Sequence, residues 1–178
     1  RRLHIAVAAS TGELREGIVE YPLVRDPFVL VAPRGMVSNR QDILAELSEL
    51  PLLRYAREQL IGRQIEAQLA RQKLQFEERF EIGSHLALMA MVARGLGWTL
   101  TTPLGYVRAG RYHDDLEVFP LPFAAFSRTI SLFAAADWAD RVPRDVAQTI
   151  RRLVDSQFIG PVTSRLPWLA GQLRVLDS

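Results

Sequence analysis

Residues Ile82–Pro103 read IGSHLALMAMVARGLGWTLTTP. Ser84 stands just ahead of an apolar run, where its side-chain oxygen can accept from a free first-turn N–H, so a helix is expected to start there. Leu86, Leu88, Met89, Met91 and Val92 then cover nearly every helical face, the pattern of a buried helix. Gly95 supplies a left-handed stop. Trp98-Thr99-Leu100-Thr101-Thr102 follows as a strand, and Pro103 ends it. A capped, buried helix passed directly to a strand is the repeating step of an α/β protein.

The same step recurs outward from this stretch. Before it, Leu52-Leu53-Arg54-Tyr55-Ala56 reads as a strand, and Gly62 to Lys73 as a surface helix with Ile65 and Leu69 on one stripe. Phe76 to Ile82 alternates apolar residues with charges, as a half-exposed strand does. Ile43, Leu47 and Leu50 fit a short amphipathic helix stopped by Pro51. His4 to Ala9 reads as a buried strand turning at Ser10-Thr11-Gly12, and Ile18 to Val24 as another. Phe28 to Ala32 is apolar at every position, which suits a strand covered on both faces. Beyond Pro103, Val118 to Leu121 and Thr129 to Ala135 are extended. Pro143 opens an amphipathic helix carrying Val146, Ile150, Leu153, Val154 and Phe158, and residues 160–178 form a partly helical tail. Strands alternating with helices predict an α/β fold with mostly parallel sheets.

Composition removes several function classes. The 178 residues are 48% hydrophobic and 24% charged, too apolar for a disordered segment. They contain no cysteine, so a disulfide framework, a thiolate metal site and a cysteine nucleophile are excluded within them. The histidines His4, His85 and His113 are far apart, and Asp137 and Asp140 form no metal cage, so no metal site is expected. Asp114 and Asp115 point opposite ways in an extended stretch and make no acid–base pair. There is no Gly-x-Gly-x-x-Gly or Gly-Lys-Ser/Thr loop and no Gly-x-Ser-x-Gly elbow. No cofactor, no catalytic residue and no enzymatic activity are therefore expected. The net charge is only +2, and arginines such as Arg54, Arg57, Arg63, Arg71, Arg79, Arg94 and Arg108 are scattered, which does not make a DNA-binding surface. No apolar run is long enough for a membrane span, and no signal peptide is evident, so a cytoplasmic location is expected.

The order of motifs resembles a known family. LHIAVAAS followed by GIVEYPLVRDPFVLVAP is similar to the middle of the effector-binding domain of LysR-type transcriptional regulators, where a strand of the form xLDxAI precedes xxxxPLxxDxFVLVxP. LPLLRY resembles the family's LPLIxY strand. IGSHLALMAMVARGLGWTLTTP resembles its helix ending LVxxGLGIALLP, and RTISLFAAADWADRVPRDVAQTIRRL its closing strand and helix. Met36-Val37-Ser38 departs from the family's frequent HPLA. The resemblance implies two Rossmann-like lobes joined by two crossover strands, like a type 2 periplasmic binding protein. Lobe I would hold residues 1–32 and 122–178, and lobe II residues 33–121, with the crossings at Phe28 to Pro33 and Val118 to Leu121. The family's lobe I opens with a strand and helix that do not precede Arg1 here. The sequence is therefore expected to be part of a longer regulator, whose N-terminal helix-turn-helix would bind DNA and which would form homodimers or homotetramers.

The ligand expected from this resemblance is a small effector, held between the lobes. In open α/β sheets ligands bind at the carboxyl ends of strands, where helix N-termini favour anions. The candidates are Ser10 and Thr11 after the first strand; Tyr55, Ala56 and Arg57 leading to Gly62 at a helix start; Ser84 and His85 at the head of the buried helix; and Thr101 and Thr102. Hydroxyls, helix N-termini and an arginine suit an organic anion. Each candidate also has an ordinary reading, as a turn residue, a cap or a surface charge. Besides ligand sensing for transcription control, a transport-type solute-binding protein fits the same architecture.

Overall fold

The computed structural model describes residues 5–13, 15–76, 80–137 and 139–177. His4, Arg79 and Trp138, used in the reading above, lie outside them. The strands are β1 (Ile5–Ala9), β2 (Ile18–Pro27), β3 (Val29–Pro33), β4 (Leu53–Tyr55), β5 (Phe80–Ile82), β6 (Thr99–Thr101), β7 (Leu116–Phe119), β8 (Ser127–Ala135) and β9 (Arg174–Val175). The helices are α1 (Ile43–Glu46), α2 (Leu60–Arg71), α3 (His85–Ala93), α4 (Pro103–Val107), α5 (Arg141–Val154) and α6 (Gly160–Arg165), with a π turn at Asp155–Ile159 between the last two.

The chain forms two compact units. Unit 1 gathers the described residues up to Pro27 and those from Ser127 onward; unit 2 runs from Phe28 to Phe126. The sequence reading gave residues 28–32 and 122–126 to lobe I, whereas both stretches pack with unit 2. The reason is visible in β3: it is flanked by β6 and β7 and wholly buried, so it belongs to the sheet it completes.

Unit 1 is a four-stranded antiparallel sheet ordered β1-β8-β2-β9. Leu132 and Ala134 of β8 and Tyr21 and Leu23 of β2 are buried on the sheet, and α5 packs against both strands. Arg151 of α5 is itself buried, and its Nε and Nη2 both donate to the Pro22 carbonyl (3.1 and 2.6 Å). That carbonyl lies where the β2–β8 register shifts. Asp26 is fully buried and accepts from Arg128 Nε at 2.9 Å, so its desolvated charge is paired. The first strand departs from expectation: Ala6, Val7 and Ala8 are exposed, Val7 to 53%. Among the described residues β1 pairs with β8 alone. An apolar run states what a strand can bury, and cover has to come from elsewhere.

Unit 2 contains a parallel pair, β4 with β5, and an antiparallel sheet ordered β6-β3-β7. A parallel bridge between Leu52 and Trp98 joins the two, with Leu53 N–H donating to the Trp98 carbonyl at 2.8 Å and Trp98 N–H to the Pro51 carbonyl at 3.1 Å. The expectation of mostly parallel sheets is thus corrected. The parallel neighbours are β4 with β5, and β4 with β6 at the Leu52–Trp98 bridge; parallel strands need a crossover connection, here supplied by α2 and α3. In β3 and β7, and throughout unit 1, neighbouring strands run oppositely.

Helix α3 starts at the expected place, with Ser84 Oγ accepting from Ala87 N–H at 3.2 Å, and ends before Gly95, whose φ is +83°. Its burial is one-sided. Leu88, Met89 and Val92 are buried, while Leu86 is 48% exposed. The helix is apolar all round, but unit 2 covers only the side facing β3 and β4.

Candidate functional site

Strands β4, β5 and β6 each run into a helix: α2 after β4, α3 after β5, α4 after β6. Their parallel course puts the carboxyl ends of the strands and the amino ends of the helices on one side of unit 2.

At that edge Tyr55, His85 and Thr101 are joined by hydrogen bonds. Tyr55 Oη lies 2.7 Å from Thr101 Oγ1 and 2.8 Å from His85 Nδ1, and His85 Nε2 lies 2.8 Å from the Gly105 carbonyl. A carbonyl can only accept, which assigns the neutral ring's proton to Nε2. Nδ1 then accepts from the Tyr55 hydroxyl, and the Tyr55 oxygen accepts from Thr101. The Tyr55 and His85 rings are nearly parallel, at 8° with centroids 5.8 Å apart. Tyr55 and Thr101 are buried; His85, between Tyr55 and Gly105 in the series, is half-buried.

The other predicted residues have definite places. Thr102 is buried and caps α4, accepting from Gly105 N–H at 3.2 Å, with Pro103 in the first turn. Ser84 is exposed at the head of α3. Ala56 N–H donates to the Ile82 carbonyl at 3.2 Å, extending the β4–β5 pairing. Gly62 is buried in the first turn of α2, where a Cβ would lie 2.5 Å from the Ala56 oxygen and 2.9 Å from that of Tyr55. Only glycine lets the helix approach the strand end so closely. Arg57 is exposed, with its Nε 2.9 Å from Glu81 Oε1, and its carbonyl accepts from Arg63. Ser10 and Thr11 belong to unit 1. Their hydroxyls accept from the N–H groups two residues on, those of Gly12 (3.2 Å) and Glu13 (3.3 Å), which is the geometry of a side-chain-closed turn.

Two residues of this edge escaped the sequence reading. Gly105 supplies the carbonyl that fixes the His85 tautomer, and its missing side chain leaves room for Thr101; a Cβ there would lie 2.5 Å from Thr101 Oγ1. Thr102-Pro103 signals a helix start, and from it a glycine at the third helical position could have been singled out. Gln59 ties the two strand exits together, donating from Nε2 to the Gly83 carbonyl at 2.7 Å. Nothing in its sequence context marks it.

Among the described residues there is no cluster of three or more potential metal ligands, and no helix is long and apolar enough to cross a membrane.

Residues 1–155 match the family model of the LysR substrate binding domain. The chain belongs to that family. Its fold is likewise that of solved LysR-type regulatory domains. A cysteine mutant of OxyR from Corynebacterium glutamicum superposes with a TM-score of 0.69 at 19% identity, over 90% of this chain and 51% of that one. Reduced OxyR from N. meningitidis gives 0.65 at 17% identity, over 97% and 74%. The bromide-ion-bound regulatory domain of HypT from Salmonella typhimurium gives 0.60 at 17% identity, over 84% and 71%. The present chain spans about half the length of the first of these. No curated protein matches the chain.

Proposed function

We propose that this LysR-type domain senses a small organic anion, and that the anion binds at the carboxyl ends of β4, β5 and β6. The observation that carries this is the Thr101–Tyr55–His85–Gly105 hydrogen-bonded series beneath the head of α3. Its buried members make a rigid polar floor, and such sites work best when their supporting groups are already fixed. Contact with the ligand falls to the accessible groups: the amino end of α3 at Ser84, Arg57 and, through its ring carbons, His85, both of whose ring nitrogens are engaged by Tyr55 and Gly105. Helix amino ends and guanidinium groups both favour carboxylates. Tyr55, Thr101 and Thr102 position them, and Ala56 and Gly62 shape the strand exit. Ser10 and Thr11, at the exit of β1 in unit 1, are kept in this proposal as effector-binding residues of that unit.

In the whole regulator, a ligand that favours one arrangement of the lobes would shift that equilibrium by its differential affinity. The shift would change how an oligomer presents its helix-turn-helix segments to DNA. Thiol chemistry is not available for sensing, since these residues contain no cysteine.

Calorimetric titration of the chain with a panel of mono- and dicarboxylates tests this. Saturable binding is expected for at least one, weakened by Arg57→Ala and by His85→Asn. Saturable binding unaltered by both substitutions would overturn the assignment of the site.

A further inference from the structure

Residues 120–126 carry the chain from β7 to β8 without helix or strand of their own, and unit 2 ends at Phe126. Ties inside unit 2 hold this stretch at two places. The Phe126 carbonyl accepts from Phe28 N–H at 2.9 Å, and the two rings stack with centroids 4.5 Å apart at 27°. Phe28 and Phe126 are the first and last residues of the unit, so its two connections are held side by side. At Ala124 the tie is a side chain. Gln72 Nε2 donates to the Ala124 carbonyl at 2.9 Å, and Gln72 Oε1 accepts from Ala124 N–H at 3.1 Å. One amide group meets both polar groups of one backbone residue, as a neighbouring strand would. Ala124 is itself exposed, so these bonds rather than burial hold it.

The way α2 stops delivers the glutamine to that place. Lys73 N–H donates to the Ala70 carbonyl at 3.1 Å and Leu74 N–H to the Leu69 carbonyl at 2.9 Å, the paired closure that ends a helix on a left-handed residue. That residue is Lys73, at φ +57°, where glycine is the usual choice. The other end of α2 lies at the strand exits. Gly62 in its first turn has no room for a side chain beside the Ala56 oxygen, and Arg63 Nη1 donates to the Arg57 and Glu58 carbonyls at 2.8 and 3.1 Å. Twelve helical residues, roughly 18 Å, join the two ends as a stiff rod.

We infer that Gln72 is a latch on the second connection of unit 2, and that α2 couples it to the strand exits: displacing the amino end of the helix draws the Gln72 amide off Ala124 and frees residues 120–126. Two hydrogen bonds to exposed backbone are weak enough to break when the helix moves. They re-form only where both partners of the amide are in place. That amino end borders the site proposed for the anion, but the inference does not rest on that reading, and its test uses no ligand.

The test is amide-resolved hydrogen exchange on the full chain, ¹⁵N-labelled. Gln72→Ala is expected to speed exchange at Ala124 N–H about two- to ten-fold, with the amides of the β3–β7 ladder unchanged as the measure of global opening. Gly62→Ala, whose Cβ would lie 2.5 Å from the Ala56 oxygen, pushes the far end of α2 and should speed Ala124 in the same selective way. In the Gln72→Ala background Gly62→Ala should add nothing at Ala124, because the latch is already gone. Arg63→Ala, at an exposed position, frees the same end without a clash and takes its place if Gly62→Ala does not fold. The inference is overturned if Gln72→Ala leaves Ala124 exchange unchanged. It is also overturned if the variants at the amino end leave Ala124 unaltered, speed the ladder amides equally, or act on Ala124 as strongly without Gln72 as with it.

Discussion

Tyr55 Oη and His85 Nδ1 are 2.8 Å apart, and this contact joins the exit of β4 to the first turn of α3. The buried Thr101 hydroxyl fixes the Tyr55 oxygen from below, and the Gly105 carbonyl fixes the far side of the imidazole. Four residues from three strand-to-helix junctions thus hold one another in a single orientation. The half-buried histidine is therefore preset in position and, as a neutral ring, in tautomer.

Gly105→Ala is the sharpest probe of that arrangement. Its new Cβ would lie 2.5 Å from Thr101 Oγ1, an atom with no exposed space to move into. Overpacking of this kind costs about 1–3 kcal/mol, which urea unfolding can measure. Thr101→Ala removes the obstructing oxygen. The double variant should be more stable than the sum of the two single losses requires, and strict additivity would refute the steric account.

Arg54 and Glu66 give a second prediction. Arg54 is 7% exposed; its Nη1 lies 2.7 and 2.6 Å from the two Glu66 oxygens, and its Nη2 donates to the Phe76 carbonyl at 3.3 Å. Glu66→Ala would leave a buried guanidinium without its counter-charge, at a cost of about 3–5 kcal/mol. Arg54→Met with Glu66→Leu removes both charges and should recover most of that loss. Equal destabilisation of the single and double variants would show that the charge is not what matters.

What the sequence made legible follows from what each signal encodes. Ser84, Gly95 and Pro103 punctuated the chain correctly because caps and stops act over a few residues. The buried run at Phe28 to Ala32 was readable because a strand covered on both faces has no polar position. Strand direction was not readable: β3 and β7 run oppositely side by side, and nothing local records which neighbour a strand will choose. The exposure of Val7 and Leu86 was hidden for the same reason, since apolar patterning does not identify the covering surface. In the candidate site, Tyr55, His85 and Thr101 came from one rule about strand ends, and that rule could not show that Tyr55 and Thr101 would be buried supports. Gly105 was missed because its function is to be small.

Acid and alkaline unfolding of unit 1 should both register on one cluster. The Tyr21 hydroxyl donates to Asp140 Oδ1 at 2.6 Å, and Arg144 donates to Oδ2. The Tyr21 hydrogen bond, then that of Arg144, holds the Asp140 carboxyl below the usual range. Burial, then the bond to Asp140, pushes the Tyr21 hydroxyl up. For Asp140 the charged form is favoured by folding. Its contribution is complete above the unfolded value, about 3.9, and fades as pH falls through the lower folded one. For Tyr21 the neutral form is favoured. Its contribution is complete below about pH 10 and fades as pH rises through the raised folded value. Tyr21→Phe should flatten the alkaline limb of a stability–pH profile and weaken the acid limb. Unchanged limbs in that variant would remove the cluster from the account.

Arg151 should prove far more consequential than its neighbour Arg152. Its guanidinium is 6% exposed and donates twice to the Pro22 carbonyl, at the point where β2 slips register against β8. That carbonyl acceptor belongs to a residue with no N–H of its own, in a stretch where the ladder is already interrupted. Truncating the donor removes both guanidinium hydrogen bonds from that carbonyl. Arg151→Ala is expected to lose about 1.5–3 kcal/mol for a charged hydrogen bond of this kind, and more if the vacated volume stays empty. Arg151→Lys keeps the charge but cannot reproduce the planar two-nitrogen contact, so it should recover only part. Arg152 is exposed and its guanidinium donates to Thr149 Oγ1 at 3.3 Å, so Arg152→Ala should stay within about 0.5 kcal/mol of the parent. Thermal and urea unfolding of the three variants would show whether the bulge in β2 depends on this side chain; similar losses for Arg151→Ala and Arg152→Ala would mean it does not.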